Sequence, residues 1–381
     1  MSARPRIAVA CSGLGHIQRG IESWASDLAQ ALGASGADVT LFSGAPCGGA
    51  IALPTLRRGG TGARGLAGGL RHLGGWRYGF GSPYDVEQTS FSLALWRRIR
   101  HGFDILHVQD PLIAIWLERA RRAGWSKPAV IYANGTGEGP EVMRRFRYLH
   151  LLTAGAAAEW APRQPADQRV FTIPNFIDTV RFSPGDRAAA RARFGLPAEG
   201  TILLCCAAIR RRHKRIDALL SAFAAARTPH GVYLVIAGGR EPDTDELIAE
   251  GTALLGDRVR FLLDLPRDAM PALYRAADAF VLPSLYEMFG IVLLEALATG
   301  LPVLCNDTAD FRAIAGPGAL YGDLGNEEAF ARGLRRLTEP AERKALGAAG
   351  RSHVQARYSA GAVTRAMIAM YETVEAERRL G

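Results

Sequence analysis

Glu287 and Glu295 stand eight positions apart in the run Pro283-Ser-Leu-Tyr-Glu-Met-Phe-Gly-Ile-Val-Leu-Leu-Glu-Ala-Leu-Ala-Thr-Gly-Leu-Pro-Val303. Carboxylates accept hydrogen bonds from hydroxyl groups, so a fixed pair of them can hold two parts of one ligand. Gly290, between them, lets a ligand approach the backbone closely. The apolar run after Gly290 predicts a helix that stops at Gly300, before Pro302. The first turn of such a helix has unpaired N–H groups and partial positive charge, and therefore suits an anion. Glu287 is expected before the helix and Glu295 about two turns into it. One carboxylate would then meet the near end of an anionic ligand and the other a hydroxyl-bearing part. The plainer reading is a strand–loop–helix unit with two solvated glutamates.

Two other stretches could contact an anion. The buried run Thr201–Ala208 ends at Ile-Arg210-Arg211-Arg212-His-Lys214-Arg. A basic cluster at the carboxyl end of a parallel strand sits where α/β sheets bind ligands, although solvated basic turns are common. Near the N-terminus, Arg6–Cys11 reads as a buried strand, followed by Ser12-Gly13-Leu14-Gly15-His16 and a helix from about Gly20 to Leu32. The dinucleotide pattern G-x-G-x-x-G is not completed, because position 18 is Gln. His16 is either a loop histidine without a role or part of a site. Asp243-Thr244-Asp245 mimics a metal-binding Asp-x-Asp, but it precedes a helical run over 246–255 and reads better as an N-cap.

The elements that must position these residues alternate between short buried strands and amphipathic helices, which predicts parallel α/β sheets. With 381 residues the chain exceeds one ordinary core, so two domains are expected. Expected strands include 37–43, 103–108, 129–133, 150–154 and 170–173 in the first half, then 201–208, 232–237 and 258–263. Residues 59–81 read as a long Gly-rich loop. Arg57, Arg58, Arg64, Arg71 and Arg77 lie in or beside it with Trp76, Tyr78 and Phe80. It is either an idle surface loop or a surface facing an anionic or sugar-bearing acceptor, and the same mixture suits a membrane interface.

A hydrophobic content of 48% with 22% charged residues describes a globular chain. No apolar run reaches membrane-spanning length, and the N-terminus lacks a signal-peptide core. The five cysteines fall mostly in apolar runs and read as small buried hydrophobes of a reducing cytoplasm. No Cys/His spacing fits zinc. The net charge of +9 fits an anionic substrate or membrane surface, or only a compositional bias toward arginine. No nucleic-acid partner is expected, the weakest of these readings, because no recognition motif is present and no aromatics interleave with a basic stripe.

The Glu287-to-Glu295 run resembles the Glu-x7-Glu signature of the retaining glycosyltransferases of family 4, of GT-B fold. That signature is Pro-Ser-…-Glu-x-Phe-Gly-…-Glu-Ala-x-Ala-x-Gly-x-Pro-Val. Pro174–Pro184 resembles the family's interdomain segment, with Phe176 for the usual Gly, and Tyr358-Ser359 resembles the start of its final helix. The resemblance implies two Rossmann-like parallel-sheet domains facing across a cleft, over 1–183 (acceptor side) and 184–362 (donor side). A helix over 363–381 would return to the first domain.

It also implies a nucleoside diphosphate sugar as donor, with no metal and no other cofactor. Glu295 would bind ribose hydroxyls and Glu287 the transferred sugar. Lys214, Arg210 and the backbone of Phe289, Gly290, Ile291 and Val292 would grip the diphosphate. Gly15, Gly239 and Leu263 would complete the donor site; Arg210 is chosen over Arg211 and Arg212 as nearest the strand end. His16, Arg19, Asp110 and Asn134 would lie on the acceptor side, with Asn134 where many relatives have histidine. The acceptor would be a sugar, a lipid-linked molecule or a small metabolite. The location would be cytoplasmic, with peripheral contact at the inner membrane face through the basic first domain as one option. The alternatives are a non-catalytic sugar-nucleotide-binding protein, a nicotinamide oxidoreductase and a peripheral membrane scaffold.

Overall fold

The computed structural model describes residues 4–17 and 19–380, so the start of the N-terminal stub and Gln18 lie outside the described residues. The chain divides into two compact units, Met1–Asn175 with Val363–Gly381, and Phe176–Ala362.

The first unit contains β1 (Ile7–Cys11), α1 (Gly20–Ala34), β2 (Val39–Ser43), β3 (Ile51–Ala52), α2 (Thr61–Arg71), α3 (Pro83–Ile99), β4 (Ile105–Val108) and α4 (Pro111–Arg122). β5 (Ala129–Ala133), α5 (Pro140–Met143), β6 (Tyr148–Leu151), α6 (Ala154–Trp160) and β7 (Arg169–Thr172) follow. Its strands pair in parallel in the order β3-β2-β1-β4-β5-β6-β7. β1 is buried throughout, as its uninterrupted apolar run requires of a central strand.

The second unit contains α7 (Arg187–Arg193), β8 (Thr201–Cys206), α8 (Ile216–Ala225), β9 (Val232–Gly238), α9 (Thr244–Leu255), β10 (Val259–Leu263), α10 (Met270–Ala276) and β11 (Ala279–Val281). Next come α11 (Ile291–Ala298), β12 (Val303–Asn306), α12 (Ala309–Ala315), β13 (Ala319–Gly322), α13 (Glu327–Arg336) and α14 (Pro340–Arg357). Its parallel sheet runs β10-β9-β8-β11-β12-β13. The last helix, α15 (Ala360–Leu380), belongs to the first unit from Val363 onward. There the Tyr371 hydroxyl meets His107 Nδ1 of β4 at 2.8 Å.

Three expectations need correction. Residues 61–71 are helical where a loop is expected, with a further turn of 3-10 helix over Gly75–Tyr78. Glycines disfavour helix by roughly 1 kcal/mol each, and they hide this one from a sequence reading. Packing of Ala63 and Ala67 against Val86 and Phe80 offsets that cost. The strand expected at 150–154 is Tyr148–Leu151, because Thr153 already caps α6, accepting from Ala156 N. Asp243 stands at the start of α9 but makes no side-chain cap. Its carboxylate accepts from Arg211 N at 3.0 Å instead.

Candidate functional site

Strand order reverses between β8 and β11 in the second unit, so the loops leaving their carboxyl ends diverge from adjacent points. Open α/β sheets bind ligands at such a point. The β8 loop carries the basic turn and the β11 loop carries Glu287. Lys214 Nζ donates to Glu287 Oε1 at 2.5 Å, and His213 Nε2 lies 3.4 Å from Oε2. Burial lowers the His213 pKa, and the adjacent Lys214 ammonium lowers it further. Glu287 and Arg210 act on the same imidazole in opposite directions, Glu287 raising its pKa and Arg210 lowering it. His213 and Arg215 have φ of 73° and 52°, left-handed values that cost a non-glycine residue about 1–3 kcal/mol each and concentrate at functional sites.

The three arginines of the turn differ. Arg211 pairs with Glu250, and Arg212 is exposed. Arg210 Nε is buried with no hydrogen-bond partner, as is Ser284 Oγ on the facing loop. A buried N–H without a partner is costly unless a ligand completes it.

Gly290 adopts φ 82° as the residue before α11, a conformation that favours glycine. The helix has neither a side-chain cap nor an acidic residue in its first turn, which leaves its positive end to an outside anion. Glu295 is its fifth residue, little more than one turn in and closer to the helix start than expected. The fully buried Tyr274 donates to Glu295 Oε2 at 2.6 Å, and burial raises the Tyr274 pKa. Phe289 is buried edge-on against Tyr358, and Ile291 and Val292 form the half-exposed start of the helix. Gly239 is exposed, and its carbonyl accepts from Ile209 N at 3.2 Å. Leu263 ends β10 and is half-buried.

In the first unit the reversal lies between β1 and β4. Asp110, 1% exposed, accepts from Ser12 N, Ser12 Oγ and the Tyr84 hydroxyl at 3.2, 3.1 and 2.8 Å. Burial raises its pKa in spite of these donors. Gly15 has φ 94°, and a Cβ there would lie 2.4 Å from the Ala45 carbonyl. His16 Nε2 is 3.0 Å from Glu87 Oε2, and Glu87 also receives two guanidinium bonds from Arg58. Burial raises the Glu87 pKa, but Arg58 and His16 outweigh it and hold the pKa below the usual range. An ionised carboxylate only accepts, so His16 Nε2 donates to it, and His16 Nδ1 is buried without a partner. Arg19 is exposed, and its backbone N–H donates to Glu22 at 3.2 Å. The Asn134 amide is committed to its own loop, donating to Glu138 O and accepting from Glu138 N.

The second unit therefore brings Lys214, Arg210 and Glu287 together. Asp110 and Asn134 each hold a separate loop of the first. Sequence reasoning gave no role to His213, Tyr274 or Glu87. The basic turn contains His213 and the Gly-rich stretch borders Arg58, but Tyr274 and Glu87 come from distant elements with no local signal.

Two family models match the chain: "Glycosyltransferase Family 4" over residues 18–181 and "Glycosyl transferases group 1" over residues 186–353. The chain belongs to the family 4 glycosyltransferases. It is 34% identical over 302 residues to the D-inositol 3-phosphate glycosyltransferase of Salinispora tropica, covering 74% of this chain and 61% of that protein. With the Mycolicibacterium smegmatis protein of the same name, identity is 34% over 216 residues, covering 50% and 48%. The chain thus spans about half to three fifths of the length of these curated relatives. Among solved structures it is similar to sucrose-phosphate synthase from Thermosynechococcus elongatus (TM-score 0.78, 22% identity, 98% and 100% covered). It is also similar to Anabaena HepE in complex with UDP-glucose (TM-score 0.73, 15% identity, 98% and 100% covered). The fold of this family 4 chain is of the GT-B class, with two Rossmann-like parallel-sheet domains. Among the described residues no helix is long and apolar enough to cross a membrane.

Proposed function

We propose that the chain transfers a sugar from a nucleoside diphosphate sugar to an acceptor hydroxyl, with retention of configuration and without a metal. One observation carries this reading: Lys214 and the unpartnered Arg210 gather with Glu287 at the sheet's reversal point, on a loop that ends at the uncapped start of α11. Cleavage of the donor's glycosidic bond leaves negative charge on the diphosphate. Fixed cations and a helix N-terminus stabilise that charge as it develops, and pre-placed stabilisation of this kind is usually the largest catalytic term.

Glu287 serves as an orienting carboxylate. Lys214 and His213 hold its two oxygens, and its role is to position hydroxyls of the transferred sugar. Glu295, fixed by Tyr274, receives ribose hydroxyls. The acceptor oxygen attacks from the leaving-group side, and the departing phosphate takes its proton. The first unit takes the acceptor, with the unpartnered His16 Nδ1 available to hydrogen-bond it.

The test is a thermal-shift screen of nucleoside diphosphate sugars, followed by transfer to hydroxyl acceptors beginning with D-inositol 3-phosphate. Binding to the native state raises apparent stability. A donor that stabilises the protein and yields a product of retained anomeric configuration in the presence of EDTA is expected. Donor binding with no transfer or hydrolysis would mark a binding protein and overturn the transferase reading.

A further inference from the structure

From Val39 to Tyr84 the chain contains no Asp or Glu, yet it contains Arg57, Arg58, Arg64, Arg71 and Arg77. These 46 residues therefore supply five of the nine net positive charges of the whole chain. The same stretch exposes apolar side chains: Leu66 at 37%, Leu73 at 79%, Trp76 at 64% and Tyr78 at 63%. Leu66 lies on α2, Trp76 and Tyr78 on the short 3-10 turn that follows, and Leu73 in the link between the two.

The local structure keeps them outward. The buried side chains of α2 among the described residues are Ala63 and Ala67, which pack with Val86 and Phe80. Gly65, Gly68 and Gly69 are exposed, with open space where a Cβ would stand. The outer surface is thus low backbone from which a few large side chains project. The Arg77 guanidinium lies 5.1 Å from the Trp76 ring centroid, and Arg64 is exposed. A protein partner would be expected to meet pockets or carboxylates of matching shape here. A bilayer needs neither, because it accepts projecting Trp, Tyr and Leu at the headgroup–acyl boundary while arginines reach lipid phosphates.

We propose that α2 and the turn after it dock on an anionic lipid surface, with Leu73, Trp76 and Tyr78 entering the interface and Arg57, Arg64 and Arg77 meeting lipid phosphates. Attraction to an anionic leaflet weakens by about fivefold for each basic residue removed. This docking is independent of the transfer reaction, since it uses none of the residues assigned to the donor.

Co-sedimentation of the full chain with vesicles tests it. Vesicles of phosphatidylcholine with a third phosphatidylglycerol should retain the protein, and phosphatidylcholine alone should not. High salt should release it. Leu73→Ser with Trp76→Ser should lower retention at least tenfold with an unchanged melting temperature, and Arg64→Gln with Arg77→Gln should do the same. If the serine pair unfolds the chain, quenching of tryptophan fluorescence by brominated lipids, lost on Trp76→Phe, gives an independent measurement. Equal retention on neutral vesicles, no retention on either, or an unaffected serine pair would overturn the proposal. So would single-stranded DNA or an acidic protein bound as tightly as the vesicles and equally sensitive to the serine pair.

Discussion

The two units reverse strand order in the same way, but they furnish the reversal point differently. In the second unit the point is cationic and partly unfilled: Arg210 Nε and Ser284 Oγ are buried without partners, and α11 has no cap. In the first unit it is lined with acids held by neighbours. Asp110 takes three donors, and Glu87 is gripped by Arg58 and His16. One arrangement is prepared for an anion, and the other is a braced framework. A sheet reversal therefore supplies a place, while the side chains decide its use.

The contrast can be broken most directly at Glu287. Glu287→Ala should abolish transfer with the protein still folded, as read by turnover and melting temperature together. Retained turnover would remove Glu287 from the site. Lys214→Ala should cost about a hundredfold in rate, the on-the-order-of 3 kcal/mol expected for one lost charge stabiliser. An unchanged rate would mean that the wrong cation has been named.

In the first unit the expected sensitivity is to pH. His150 Nε2 faces the Ile173 carbonyl, so it donates, and Nδ1 accepts from His107 Nε2. His107 Nδ1 in turn accepts from Tyr371. Both rings are thereby neutral, and an added proton has no acceptor. Burial lowers both pKa values, that of His150 from 6.5 to about 4. The unfolded chain binds these protons first, so the stabilisation is complete above about pH 6.5 and is lost as pH falls toward about 4. Chemical denaturation across that range should show a decline of a few kcal/mol. A flat profile would contradict the neutral chain. Gly15→Ala should destabilise by about 2 kcal/mol, from its positive φ and the Ala45 carbonyl in its way. Smallest of all, Arg211→Ala should change transfer by no more than about threefold, since Arg211 makes an exposed ion pair. Arg210→Ala should resemble Lys214→Ala, and the reverse order would exchange their roles.

Most strands were legible in the sequence because apolar runs of four to seven residues end at Gly, Asn or basic turns. Glu287, Gly290 and Glu295 were legible because one contiguous run encodes strand, loop and helix. α2 was not, since glycine content argues locally for a loop, and Val86 and Phe80, which pack against it, lie outside the helix. The choice among Arg210, Arg211 and Arg212 also required geometry, because Glu250 lies 39 positions from the arginine it engages. Tyr274 and Glu295 are 21 apart and meet only once α10 and α11 are placed.

The final helix has a consequence for synthesis. Tyr371 meets His107 across 264 positions of chain. Domains generally fold as units while they emerge from the ribosome. Here the half translated first lacks a piece of its interior until residues 363–380 have been made, whereas the second half has every strand of its sheet well before. The order of completion is therefore the reverse of the order of translation. A nascent chain halted before residue 363 would hold a finished second half and an open first one.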